Sequence, residues 1–225
     1  MIRWRSFVCA LCCAAALRAD SLDAILSRMD SNAKQFKSVS AKLREASYNA
    51  VLQDTTRQDG ELRLRRAKGV LTGVLHFNAP DEHLIGFKGH TIEIFYPKAN
   101  QVQVYDAGKR AAQLDQFILI SFGAAGSDLK QTYDIKLAGT ENIDSQVANH
   151  LELTPKSAEA RKFATKVELW IPEGKANAVK EKVTEPSGNY LETTYSEVKP
   201  NPSLPDSDFE LKLPRGVKRI NAGGD

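Results

Sequence analysis

Between Gly60 and Pro97 the chain alternates apolar with polar side chains, and a period of two fits β-strands. Leu62 and Leu64 alternate with Glu61, Arg63 and Arg65; Leu71, Leu75 and Phe77 share one parity, and Ile92, Ile94 and Tyr96 form the next run. Asn78-Ala79-Pro80-Asp81, Lys88-Gly89 and the turn from Pro97 to Asn100 cut these runs into short strands. Asp59-Gly60 carries a hairpin signal ahead of them. Each strand therefore presents one greasy row and one largely polar row, and the greasy row requires a cover.

The rest of the chain supplies more strands and a helix. Val39, Ala41 and Leu43 alternate with Ser40, Lys42 and Arg44, which predicts a first long strand, and Val102 and Val104 continue a short strand to Tyr105. Alternation returns after Ser127: Tyr133, Ile135 and Leu137; Leu151 and Leu153; Val167, Leu169 and Ile171; Val179, Glu181 and Val183; then Tyr190 to Val198. Gly139, Asn142, Pro155, Glu173-Gly174 and Ser187-Gly188-Asn189 are the turn signals between them, and Phe209, Leu211 and Leu213 suit an edge strand. Many short strands at this spacing predict an antiparallel sheet, curled or barrel-like.

From Asp20 to about Lys37 the period changes. Leu22, Ile25, Leu26, Met29, Ala33 and Phe36 recur at three and four, the apolar face of a helix that either packs on the sheet or acts as a lid. Asp20 or Ser21 suits its N-cap. Leu114 to Phe122 is the most hydrophobic segment after the N-terminal one. It suits a buried strand or a short helix with Leu114, Phe117, Ile118 and Phe122 on one side, and the missing alternation favours the helix.

Residues 1–19 differ in kind. Arg3 and Arg5 precede an apolar run from Ser6 to Leu17, and Leu17-Arg18-Ala19 ends on a small residue, the pattern of a cleavable secretory signal cut before Asp20 or after Ala16. Residues 20–225 are then expected as a single domain exported to the periplasm. Cys9, Cys12 and Cys13 leave with the signal, so no disulfide is expected. The formal charge of +3 also leaves, because Arg3, Arg5 and Arg18 supply it and no acid precedes Asp20. A neutral mature chain gives no footing for nucleic acid.

Motifs for catalysis are missing from the sequence. His76, His83, His90 and His150 form neither HxH nor HExxH, and His83 and His90, flanking one predicted hairpin, lack metal-site partners. GxSxG, GxxxxGK[ST] and GxGxxG do not occur, and the pairs Ser31/Lys34 and Ser127/Lys130 lack companion motifs. Neither an enzyme, nor a cofactor, nor a metal is expected. Arg66 closes the apolar row of Leu62 and Leu64, either as a solvated strand end or as a fixed fork of donors for backbone carbonyls of a lid.

Taken in order, Gly60-Glu61-Leu62-Arg63-Leu64-Arg65-Arg66, Phe77-x-x-Pro80, Lys88-Gly89, Tyr96-Pro97, Leu151-Glu152-Leu153-Thr154-Pro155-Lys156, Gly188-Asn189 and Phe209-x-x-x-x-Pro214-x-Gly216-Val217 resemble the periplasmic outer-membrane lipoprotein carriers of the LolA family. The resemblance implies a mainly β (α+β) fold, an incomplete, strongly curved antiparallel β-barrel whose apolar hollow is covered by a lid of short helices. It implies a monomeric carrier that takes triacylated lipoproteins from an inner-membrane ABC transporter to an outer-membrane acceptor. Arg66 maps onto the family's lid-locking arginine. The apolar rows supply the expected acyl-chain surface: Leu62, Leu64, Leu75, Phe77, Ile92, Ile94, Tyr96, Phe117, Ile118, Leu151, Leu153 and Leu169. Ala67 stands where the family usually has proline after that arginine, and Leu75 where an aromatic is expected. The alternatives with the same fold are a periplasmic binder of another lipid and a regulatory sensor, the latter usually with an extra C-terminal domain.

Overall fold

A computed structural model describes residues 20–108, 115 and 118–222. The predicted signal segment lies outside the described residues. One sheet of twelve strands runs through the fold, in the order β12-β6-β5-β4-β3-β2-β1-β11-β10-β9-β8-β7. The strands are β1 (Ser38–Asn49), β2 (Asp54–Ala67), β3 (Val70–Phe77), β4 (His83–Lys88), β5 (Thr91–Tyr96), β6 (Gln101–Asp106), β7 (Tyr133–Ile143), β8 (Gln146–Pro155), β9 (Lys166–Pro172), β10 (Lys180–Thr184), β11 (Tyr190–Pro200) and β12 (Lys218–Asn221). All neighbours are antiparallel except β12 on β6. β7 and β12 stand at opposite ends, so the sheet does not close into a barrel. Among the described residues no helix is long and apolar enough to cross a membrane.

The helices whose full bounds lie among the described residues are α1 (Leu22–Gln35), α2 (Gly126–Thr132) and α3 (Ala158–Arg161). Ser21 caps α1, its Oγ accepting from Ala24 N at 3.2 Å, with Asp23 in the first turn and Lys34 in the last. Ile25, Leu26 and Met29 are buried against Leu151, Leu153, Leu169 and Ile171 of the sheet. Two polar anchors hold α1 at its ends. Asp20 pairs with Arg28 and accepts from the buried Asn149 at 3.2 Å and from Gly174 N at 3.2 Å, contacts that lower its carboxyl pKa, the Arg28 bond foremost. At the other end Asn201 accepts from Lys37 N (2.9 Å) and Ser38 N (3.1 Å) and donates to Gln35 O (3.1 Å).

Several sequence expectations need correction. Asp59-Gly60 is no turn: β2 runs straight through it, and the hairpin closes at residues 50–53, where Asn49 Oδ1 accepts from Val51 N and Leu52 N at 3.0 Å. Gly60 serves close approach instead, because a Cβ there would lie 2.5 Å from His76 O on β3. Gly139 and Asn142 likewise sit inside β7, with a register shift between Leu137 and Gly139, and the turn falls at Asp144 and Ser145, both at positive φ. The chain returns to strands only after α2.

The C-terminal segment also departs from expectation. Phe209 ends a 3-10 turn (Asp206–Phe209), and the added strand is β12. This segment crosses the face opposite the helices. Phe209 is buried there beneath the guanidinium of Arg65, 5.2 Å from its ring centroid, and Leu211 sits over Gly86. Val74, Phe95 and Val102 are buried on that same parity. Both faces of the β3–β6 region are thus partly apolar.

Candidate functional site

Pairing register brings the apolar rows into lines across the helix-covered face. Val39, Leu64, Gly73, Phe87 and Ile92 form one line, and Ala41, Leu62, Leu75, Ile85 and Ile94 the next. Leu43, Gly60, Phe77 and His83 follow, with the Phe77 and His83 rings stacked at 4.7 Å and Tyr96 6.1 Å beyond His83. In the other half, Ile135, Leu153, Val167 and Val183 face the same way, beside Leu137, Leu151 and Leu169. Each such side chain removed from water contributes about 1.5–3 kcal/mol.

The space above these rows is filled by the segment before α2. Ile118 and Leu119 are helical and the chain turns through Ile120, Ser121 and Phe122. Leu119 and Phe122 join the cluster of Leu43, Leu62, Leu64 and Phe77, whereas Ile120 joins that of Leu151, Leu153 and Leu169. One short segment therefore bridges both halves of the hollow. Three polar contacts fasten it: Asn32 Nδ2 of α1 donates to Phe122 O (2.6 Å), Ala178 N donates to Ser121 O (2.9 Å), and Ser121 Oγ donates to Glu181.

Glu181 is a feature that the sequence does not single out, because its alternation with Val179 and Val183 has the form of ordinary strand polarity. It lies on the covered face, in line with Leu169 and Leu151 on one side and Thr193 and Glu45 on the other. Tyr195 Oη donates to it at 3.3 Å. Burial pushes its carboxyl up to about 7, against the pull of the Ser121 and Tyr195 hydroxyls. Burial also raises the Tyr195 and Tyr133 phenols and the Glu45 carboxyl.

Of the expected acyl-chain surface, Leu62, Leu64 and Phe77 are buried in one cluster with Leu75, Ile92 and Ile118 packed against it, and Leu151, Leu153 and Leu169 are buried in the other. Ile94 and Tyr96 are half-buried, and Phe117 lies outside the described residues. Arg66 is exposed at the end of β2. Its backbone N donates to Lys37 O (2.8 Å), and its charge acts on Asp115, whose carboxyl is raised by burial and lowered by Arg66 and His90.

On the outer face the sheet brings together His150, Glu152 and Glu168, which the sequence did not suggest as a group. His150 stacks on Trp170 at 4.4 Å and its Nδ1 lies 2.9 Å from Glu141, while Lys166 lies 3.0 Å from Glu168. Lysines sharing the space make this a charge-paired ladder. A cavity of ≈ 180 Å³ on that face is lined by Thr72, Gly86, Lys88, Thr91, Glu210 and Leu211.

The fold has counterparts among known proteins. A family model described as "Outer membrane lipoprotein carrier protein LolA" matches residues 34–212. The chain belongs to the LolA family. No curated protein matches it at a significant level. Among solved structures it is similar in fold to an uncharacterized conserved protein from Thermus thermophilus, at 11% identity and a TM-score of 0.54, covering 90% of this chain and 99% of that one. It is similar also to MucB, at 13% identity and a TM-score of 0.53, covering 85% of this chain but only 62% of MucB. The LolA superfamily protein NE2245 from Nitrosomonas europaea aligns over 86% of this LolA-family chain and 99% of its own, at 16% identity and a TM-score of 0.40.

Proposed function

We propose that this LolA-family protein is a periplasmic carrier that binds the acyl chains of lipoproteins leaving the inner membrane and delivers them to the outer membrane. The observation that carries the reading is the apolar face plugged by Leu119, Ile120 and Phe122, side chains that acyl chains can replace. Each methylene hidden from water is worth about 0.8 kcal/mol, so a chain in transit needs such a surface. The plug is fastened by a few polar contacts, which suits a carrier that must also release. An inner-membrane ABC transporter as donor and an outer-membrane acceptor belong to this reading, with the chain working as a monomer. Arg66 is assigned the lid-locking role, and its electrostatic attraction to Asp115 of the covering segment supports that role.

The test mixes the mature protein with a synthetic triacylated lipopeptide and follows transfer to liposomes after gel filtration. A soluble one-to-one complex is expected. Arg66→Leu, which weakens the hold of the lid, should form the complex and release it more slowly, on the order of tenfold if the closing contact contributes about 1.4 kcal/mol. A lipopeptide that stays aggregated overturns the carrier reading, and unchanged release rejects the role of Arg66.

A further inference from the structure

A carboxylate is a costly group to place on the floor of an apolar hollow. Glu181 is nevertheless 8% exposed there, beside Thr193, also 8% exposed, and within hydrogen-bond reach of Tyr195. The groups that act on it are the hydroxyls of Ser121 from the lid and Tyr195 from β11, with the Tyr133 phenol of β7 close enough to feel its charge and Glu45 of β1 reaching Tyr195. Among the described residues no cation acts on it.

What does satisfy Glu181 is part of the plug. Ser121 offers one neutral O–H, flanked by Ile120 and Phe122 and preceded by Leu119. Phe122 meets the Tyr195 ring edge-on at 4.7 Å. Seen from the sheet, this segment has the chemistry of an amphiphile: apolar groups on both sides of a single hydrogen-bond donor.

We propose that Glu181 and Tyr195 form a polar subsite of the hollow for an amphiphile carrying a neutral hydrogen-bond donor, a hydroxyl or amide N–H, between apolar parts, and that Ser121 fills it when the hollow is empty of cargo. The inference rests on the binding role proposed above and names what the hollow selects. An incoming ligand with an amide replaces the Ser121 bond, so Glu181 stays satisfied when the plug leaves. A ligand with acceptors only leaves the carboxyl without a donor from above, which costs affinity.

The experiment uses the mature protein loaded with the fluorescent apolar probe N-phenyl-1-naphthylamine and compares its displacement by palmitamide and by methyl palmitate. At pH 9, above the carboxyl's value of about 7, Glu181 is ionised and only accepts, so the amide can donate to it and the ester cannot pair with it. In wild type the amide should displace the probe about tenfold more tightly, the ratio that one hydrogen bond of about 1.4 kcal/mol gives. In Glu181→Leu the ratio should fall to about one, because the ester no longer strands a carboxyl and regains the roughly tenfold that it loses in wild type. Tyr195→Phe, which removes a hydroxyl that donates to Glu181, provides a second variant should Glu181→Leu not fold, and it should raise the ratio, because the carboxyl then depends more on the ligand's donor. Equal affinities in wild type overturn the subsite and leave the binding role intact. Failure of both lipids to displace the probe overturns the binding role and the subsite with it.

Discussion

Glu181→Gln should stabilise the protein by about 3 kcal/mol at pH 8 and leave it nearly unchanged at pH 4. The carboxyl moves from an ordinary 4.5 to about 7 in the folded chain, so below 4.5 both states are protonated and the residue costs nothing. Between 4.5 and 7 the unfolded chain ionises and the folded chain resists. Stability therefore falls as pH rises through this window and levels off above it. Glutamine cannot ionise and keeps a carbonyl for the Ser121 and Tyr195 hydroxyls, so its curve stays flat where the parent's descends. Glu45 is raised in the same direction by burial, but it is common to both proteins and drops out of the difference. Urea unfolding at pH 4, 6 and 8 checks this. Parallel curves for the two proteins would reject the buried, uncompensated carboxylate.

Gly126→Ala should cost about 3 kcal/mol, through overpacking where two helices meet. A Cβ at this position would lie 2.3 Å from Leu26 O and 2.7 Å from the Leu26 C and Cα atoms. These are backbone atoms of α1, so trimming a side chain cannot make room. The helices must part, which also strains the bonds from Ser127 N (2.9 Å) and Ser127 Oγ (2.8 Å) to Asp30, and the pair of Lys130 with Asp23 at 2.7 Å. Gly69→Ala is the control. A Cβ there meets nothing within 4 Å, and only the positive φ of 79° opposes it, a cost of about 1 kcal/mol. Thermal unfolding should rank the two in that order, and equal losses would show that α1 and α2 do not depend on this close approach.

Both results depend on features that alternation alone does not display. The rows through Leu62, Leu64, Leu75, Phe77, Leu151 and Leu169 were legible because a period of two assigns faces directly, and the α1 stripe because a period near 3.6 does the same. The turn after β1 was not, because Asp59-Gly60 has the chemistry of a hairpin while its glycine is needed for the contact with β3. Short α2 escaped because seven residues hold too few turns for a period to emerge. The outer-face role of Phe209 and Leu211 escaped because it depends on a tail crossing the sheet, a non-local event. Glu181 is the sharpest case: at strand period, a glutamate flanked by valines signals which residues face together, and only the register with Leu169 and Thr193 puts it on the apolar side.

The central claim, that this face carries lipoprotein acyl chains, is tested most directly by purifying the mature protein from its native envelope under mild conditions and identifying what it holds by mass spectrometry. The account predicts triacylated peptides bound to a fraction of the molecules. Recovery of free lipid alone, or of protein holding no acylated molecule, would contradict it.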